Sequence, residues 1–307
     1  MDIRQNVPLA PMTTFGIGGT ARYLAEVRTE TEILKALEWA RAKGVRTVML
    51  SGGSNVLVPD NGLDVLVVHV GEGKSALIDN DLVADAGCNL LTLIRSSAES
   101  GVGGWEKVAG IPGSIGGAVR GNAGAFGTEI KDVAVKVRAL NAETVDVREM
   151  DNAECDFSYR HSFFKDNPEW IITKVTVSLR PTDTAMSMRL IDETIHERER
   201  RHLQNVKAAG SFFMNPVAPP EVVAMFEKEK GVRSREGRVP AGWLIEKAGM
   251  KGVKVGGAVA SLRHPNYIVN TGGATAQDVD NLAKRIKEQV LKHFGVDLAE
   301  EAALLER

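Results

Sequence analysis

Thr29-x-x-Glu32 stands ahead of Ile33, Leu34, Leu37 and Ala40, and Gly44 follows the last turn. Apolar residues spaced three and four apart behind a capping box predict an amphipathic helix. The β-branched run 45–50 comes next and ends in Ser51-Gly52-Gly53-Ser54-Asn55. Helix, strand and small-residue loop in succession form an α/β pattern. Residues 63–70 predict a second strand, and 76–78 and 82–84 around Asp79-Asn80-Asp81 predict a hairpin. Asn89 is placed to cap a helix through Leu90, Leu93, Ile94 and Ala98, closed by Gly101. Runs 133–140 and 171–179 read as strands. Helical spacing recurs near 187–202, 220–230, 241–248 and 276–294, the last opened by the capping box Thr275-x-x-Asp278. Residues 1–27 read as extended. Arg180-Pro181-Thr182-Asp183-Thr184 has the turn composition of a linker.

The length of 307 residues predicts about two domains at ~150 residues each. Lys+Arg total 38 and Asp+Glu total 40, a net charge of −2, which argues against general nucleic-acid or membrane-surface binding. No apolar run approaches the ~18 residues of a membrane span. The first residues lack the charged-then-apolar plan of a signal peptide. Cys88 and Cys155 are too few for a disulfide framework, so a reducing cytoplasm is the expected compartment. The six histidines show no metal-ligand spacing, and no metal is expected. The 31 glycines change the picture, because they cluster.

Gly71-Glu72-Gly73-Lys74-Ser75-Ala76 fits the dinucleotide fingerprint in letters, but a hairpin follows where that fingerprint needs a helix. Ser51-Gly52-Gly53-Ser54-Asn55 is a better candidate. Consecutive glycines after a strand let backbone N–H groups converge on phosphate oxygens, and Ser54 and Asn55 add side-chain donors. A tight turn is the competing reading. The stretch from Gly110 through Ile111, Pro112, Gly113, Ser114, Gly116 and Gly117 to Gly121 is too poor in bulky side chains to build its own core. It suits close approach of a flat or charged group to the backbone. Two separated glycine-rich turns fit a dinucleotide cofactor better than a single phosphate.

Thr14-Phe15-Gly16-Ile17-Gly18-Gly19, Gly52-Gly53-Ser54-Asn55-Val56-Leu57-Val58, the 109–127 stretch, Tyr159-Arg160-x-Ser162, Ala209-Gly210-Ser211-Phe212-Phe213-x-Asn215-Pro216 and His264-Pro265-Asn266-Tyr267-Ile268-Val269-Asn270 follow one another along the chain. In that order they resemble the UDP-N-acetylenolpyruvoylglucosamine reductase (MurB) family, over essentially the whole sequence. The short spacing from Arg160 to Ser211 resembles the shorter type of that family, which lacks an extra tyrosine-bearing loop.

The resemblance implies an α/β (α+β) fold with FAD bound as in vanillyl-alcohol oxidase. It implies NADPH as co-substrate and a UDP-sugar enolpyruvyl ether as substrate, reduced to the lactyl ether of peptidoglycan precursors. Arg160 then holds the substrate carboxylate, Ser211 donates a proton to the α carbon, and Glu301 orients a water or the acid group. The family's arginine two places beyond that glutamate is Ala303 here, and Glu300 is a neighbouring alternative. Tyr159, Asn215 and His264 are implied substrate contacts, although a structural turn is an equal reading of His264. Met214 stands where the family often has lysine. Lys247 reads as structural or as a diphosphate contact, and Arg200 or Arg201, in the charge run 198–202, as diphosphate contacts. The expected division is 1–62 and 63–183 as FAD-binding lobes, 184–295 as a substrate domain, and 296–307 returning to the second lobe. The expected state is a monomer or weak homo-oligomer. An FAD oxidase or dehydrogenase of the same fold with another substrate is the alternative.

Overall fold

The structure is a computed structural model that describes residues 1–201 and 206–305, with Arg201 described by its backbone alone. Its contacts divide into two compact units. The first comprises Met1–Val7, Ala21–Gly53 and Asp64–Arg200, and the second Pro8–Thr20, Ser54–Leu63 and the chain from Arg201 onward.

The first unit holds a four-stranded and a five-stranded sheet. In the four-stranded sheet the order is Ile3–Pro8, Thr20–Val27, Leu63–Val70, Thr47–Leu50. Thr47–Leu50 and Leu63–Val70 pair in parallel, and helix Glu30–Lys43 connects Thr20–Val27 to Thr47–Leu50. That helix carries the expected capping box, with Thr29 accepting from the Glu32 amide and Gly44 closing it at φ +64°. Its buried face, Ile33, Ala36, Leu37 and Ala40, packs on Ala25, Val27, Leu66 and Val68. The five-stranded antiparallel sheet runs Val147–Asp151, Ala134–Asn141, Trp170–Ser178, Asp81–Asp85, Ser75–Ile78. Helices Leu90–Glu99 and Ile115–Arg120 cover it, and Trp105 is wholly buried in their shared core. Cys88 and Cys155 are buried free thiols, and burial pushes the Cys155 thiol up to about 12.

In the second unit helices Pro220–Lys230, Ala241–Lys247 and Ala276–Phe294 pack with the strands Lys254–Val255, Ala258–Ala260 and Ile268–Asn270. Val279, Leu282, Ala283, Ile286 and Val290 form the buried stripe of the last helix, at the three-and-four spacing read from the sequence.

The units depart from the three expected lobes at identifiable bonds. The Asp60 carboxylate accepts the first-turn amides of Ala276 and Gln277 at 2.8 and 3.1 Å, which ties 54–63 to the last helix. Ala303–Leu304 pairs in parallel with Val56–Leu57, so the C-terminal segment joins the second unit. Phe15 and Ile17 enter the same core. Helix Thr184–Arg201 goes the other way. Its Ile191 is in the core beneath the five-stranded sheet, and Ser187 Oγ bonds the buried Glu106. The linker expected at 180–184 is a strand, Arg180–Pro181, paired with Val102–Gly103, and Thr182 donates to the Gly101 carbonyl at 2.9 Å. Its turn-forming residues mark the edge of a sheet rather than a domain boundary. No helix among the described residues is long and apolar enough to cross a membrane.

Candidate functional site

Two glycine loops of the first unit meet. Strand Thr47–Leu50 runs into Ser51-Gly52-Gly53, with Gly53 at φ +58°. A Cβ on Gly52 would stand 3.0 Å from Gly113 Cα. Ser51 Oγ lies 2.9 Å from Ser114 Oγ and 3.0 Å from the Val70 carbonyl. Gly113 itself has φ +116°, a backbone that side chains rarely allow.

Ser114 caps the six-residue helix Ile115–Arg120, its hydroxyl accepting the Gly117 amide at 3.2 Å. The Ile115 and Gly116 amides donate to Cys88 and Ala86 carbonyls, both at 2.9 Å. Gly116 and Gly117 therefore spend their donors inside the protein. Gly116 is a glycine for packing, since its Cβ would stand 2.8 Å from Ala86 Cβ. Gly121 follows the helix and donates to Gly117 at 3.1 Å. Ile111 packs against the core, Pro112 is exposed, and a Cβ on Gly110 would stand 3.1 Å from Arg198 Cδ. The amides of Gly52, Gly113 and Ser114 meet no acceptor among the described residues. Bare backbone with open N–H groups is the donor chemistry a dinucleotide diphosphate needs, so these residues fit FAD.

Tyr159 and Arg160 form the centre of a tight turn closed by Ser158 and His161, which bond each other's main chains at 3.1 Å in both directions. Arg160 sits at φ +57°, where a turn of this kind normally has glycine. Its guanidinium donates to the Gly124 carbonyl at 2.9 Å and lies 5.3 Å from the Tyr159 ring centroid. Lys165 Nζ donates to the Arg160 carbonyl at 2.7 Å. Asn122, wholly buried, donates to Ser158 O at 2.8 Å and to Glu129 Oε2 at 3.0 Å, and accepts the Lys131 amide. The glycine-rich stretch thus also steadies the arginine turn. Sequence reasoning missed Asn122. Its signal was an asparagine between small residues, suited to the left-handed backbone it adopts at φ +39°.

In the second unit the segments that carry Ser211 and Glu301 pair. Ser211 follows Gly210, which has φ +75°. The Phe212 carbonyl accepts the Glu301 amide at 2.8 Å, Phe213 and Glu300 form an antiparallel bridge, and Met214 donates to Ala299 O at 2.9 Å. The Glu300 carboxylate lies 3.8 Å from Lys287 Nζ. Asn55, expected as a phosphate donor, gives its side-chain amide to the Glu301 carbonyl at 3.0 Å. Thr14 Oγ1 holds Ala208 O at 2.7 Å and lies 3.4 Å from the Ser54 carbonyl. The threonine motif, the 54–55 loop, the serine segment and the C-terminal segment are thereby one cluster.

Asn215 accepts the Ala241 amide on Oδ1 at 3.0 Å and so caps helix Ala241–Lys247. His264 stacks edge-on to Tyr267 at 4.8 Å, and burial pushes its imidazole pKa below 6.5. Lys247 pairs with Glu229 at 2.7 Å and Arg200 with Glu197 at 2.7 Å. His202 lies outside the described residues, as does the Arg201 side chain. Among the described residues no group of three or more His, Cys, Asp and Glu side chains is placed to hold a metal ion.

Comparison with known proteins adds the following. Residues 201–305 match the family model of the UDP-N-acetylenolpyruvoylglucosamine reductase C-terminal domain, and residues 21–147 match an FAD-binding domain. A UDP-N-acetylenolpyruvoylglucosamine reductase of Synechococcus sp. is 36% identical over 99% of this chain and 91% of its own length. One of Carboxydothermus hydrogenoformans is 36% identical over 99% and 94%. The crystal structure of the reductase of Thermus caldophilus superposes with a TM-score of 0.77 at 29% identity, covering 99% of this chain and 98% of the other. The FAD-type α/β fold expected from the sequence is the fold found.

Proposed function

Since the chain belongs to the UDP-N-acetylenolpyruvoylglucosamine reductase family, we propose that it reduces UDP-N-acetylglucosamine enolpyruvate to UDP-N-acetylmuramate for peptidoglycan synthesis, with NADPH as reductant. Bound FAD would supply the hydride chemistry that links NADPH to the β carbon of the enol ether. Gly52, Gly53, Gly113 and Ser114 would hold its diphosphate.

An enol ether accepts hydride poorly unless the carboxylate on its α carbon takes up charge. Arg160 binds that carboxylate, because a planar guanidinium matches two oxygens and stays charged. Its positive-φ turn holds the fork still while charge develops. Ser211 transfers its hydroxyl proton to the α carbon, which is basic enough at that moment to take it. The serine oxygen regains a proton from water held by the Glu301 carboxylate. In sum the substrate gains hydride at the β carbon and a proton, ultimately from solvent, at the α carbon. Tyr159 and His264 line the substrate, and Asn215 fixes the helix beside it. The enzyme works in the cytoplasm as a monomer or weak homo-oligomer.

The observation that carries this reading is the bond between the Glu301 amide and the Phe212 carbonyl, which sets the proposed acid and the proposed carboxylate on paired segments. The test follows the flavin spectrum in anaerobic rapid mixing. NADPH should bleach the bound flavin, and the enolpyruvyl sugar should restore its colour. Ser211→Ala should keep the bleaching and slow the return by about 10²–10⁴-fold, the ordinary worth of a positioned proton donor. Return of colour at the wild-type rate in that variant would sink the reading.

A further inference from the structure

Resting on the reading above, we infer that Asn266 is a positioning residue, whose side-chain amide takes the place of a β-strand and sets the register of Ser211 against Glu301. The residue is buried, with 3% of its surface exposed. Its Oδ1 accepts the Phe213 amide at 2.9 Å and its Nδ2 donates to the Phe213 carbonyl at 2.9 Å. Its main-chain carbonyl accepts the Phe212 amide at 2.7 Å.

Two consecutive peptide planes after Ser211 are each held from both sides. The plane between Phe212 and Phe213 gives its N–H to Asn266 Oδ1 and its C=O to the Glu301 amide. The plane between Phe213 and Met214 takes Asn266 Nδ2 on its C=O and gives its N–H to Ala299. Segment 212–214 is therefore the middle of a three-part ladder. One edge is the C-terminal segment, and the other is Asn266 alone, through its side-chain amide and its main-chain carbonyl.

A primary amide at this reach both accepts from an N–H and donates to the C=O of the same residue, which an ionised carboxylate cannot do. A carboxylate keeps the first bond and turns the second into repulsion. A longer amide keeps both groups and misplaces them. The two neighbouring bonds on the far side then lose the partner that stops the segment from rotating, and the distance from the Ser211 hydroxyl to the Glu301 carboxylate is no longer fixed. Binding of NADPH and bleaching of the flavin use neither group, so the effect falls on the second half of the reaction.

The experiment uses the full-length flavoprotein and the variants Asn266→Asp and Asn266→Gln, the second carrying the test if the first does not fold. Amide hydrogen exchange is measured at 212–214 and 299–302. The two half-reactions are timed separately, in the wild type and in the Ser211→Ala background. Exchange should quicken about ten- to a hundredfold on both sides of the ladder, the consequence of stranding buried peptide groups. Flavin bleaching by NADPH should stay within about twofold, and reoxidation by the enolpyruvyl sugar should slow at least about tenfold. With Ser211 already removed, the Asn266 change should slow reoxidation no further. Unchanged exchange, equal slowing of both half-reactions, or full additivity with Ser211→Ala overturns the inference. A wild-type flavin that the sugar fails to reoxidise overturns the proposed function instead, and the exchange arm still decides the ladder.

Discussion

The Phe212 carbonyl and the Glu301 amide are 2.8 Å apart, which lays the residue after Ser211 against one 89 positions downstream. Successive side chains on a paired segment leave it on opposite sides. Glu300 leans toward the last helix, where Lys287 Nζ is 3.8 Å from its carboxylate. The same alternation directs Glu301 to the opposite side. The pairing favours Glu301 over its neighbour as the proposed carboxylate.

Charge-neutral substitution separates the two. Glu300→Gln removes an exposed ion pair of the sort worth about 0–1 kcal/mol and should leave reoxidation by the sugar within about twofold. Glu301→Gln should slow that step by about 10²-fold or more while NADPH still bleaches the flavin. Stopped-flow traces of both variants check this, and the reverse pattern would transfer the role to Glu300.

The helices and the first sheet were legible because each rests on local chemistry. Thr29-x-x-Glu32 and Thr275-x-x-Asp278 both form capping boxes, and 63–70 is a strand because its alternate residues bury on both faces. Helix Ile115–Arg120 was not legible. Glycines at 116 and 117 argue against a helix by propensity, and only the closeness of Ala86 explains them. The two compact units differ from the expected lobes for a similar reason. Asp60 capping residues 276 and 277, and Ala303 pairing with Val56, are long-range bonds with no local signature. Of the candidate site, Arg160 and Ser211 came from ordered motifs and Glu301 from its place in the C-terminal segment, whereas Asn266 was one letter of a motif whose long-range bonds to Phe212 and Phe213 have no local signature.

Gly113 and Gly121 should answer alanine differently. Gly113 has φ +116° and its Cα is the atom a side chain on Gly52 would meet, so Gly113→Ala strains the turn that presents its open amide. Gly121 has φ −93° and nothing nearer than 3.6 Å to a new Cβ. Flavin retained through gel filtration, read from its visible absorbance, should fall at least about tenfold in affinity for Gly113→Ala and stay at wild-type level for Gly121→Ala. Equal retention in both would remove the 113 turn from the cofactor site.

Arg160→Gly tests whether strain is kept for function. A side chain in the left-handed region costs about 1–3 kcal/mol. Its bond to Gly124 O returns about 0.5–1.5 kcal/mol. Removing both should leave Tm unchanged or higher, because the Lys165 contact to the main-chain carbonyl at 160 does not depend on the side chain. Reoxidation by the sugar should nonetheless fall by about 10²-fold or more. A large loss of Tm would mean that Arg160 is there to hold the turn.

Glu30 gives the first unit an acid-sensitive tie. Arg138 Nε and Nη2 donate to its two carboxylate oxygens at 2.9 and 3.0 Å, and Thr173 Oγ1 adds a third bond at 2.7 Å. This joins helix Glu30–Lys43 to strands Ala134–Asn141 and Trp170–Ser178. The arginine bonds, aided by Thr173 and opposed by burial, hold the carboxyl below the ordinary 4.5. Because the folded form then has the lower pKa, the unfolded chain binds the proton first on acidification. The tie is fully present above about 4.5 and is lost as pH falls through the folded value. Glu30→Gln should lower Tm at neutral pH, and the gap from wild type should close as pH drops below 4.5 in a thermal-melt series. A gap that stays constant across that range would mean the carboxylate charge contributes nothing to stability.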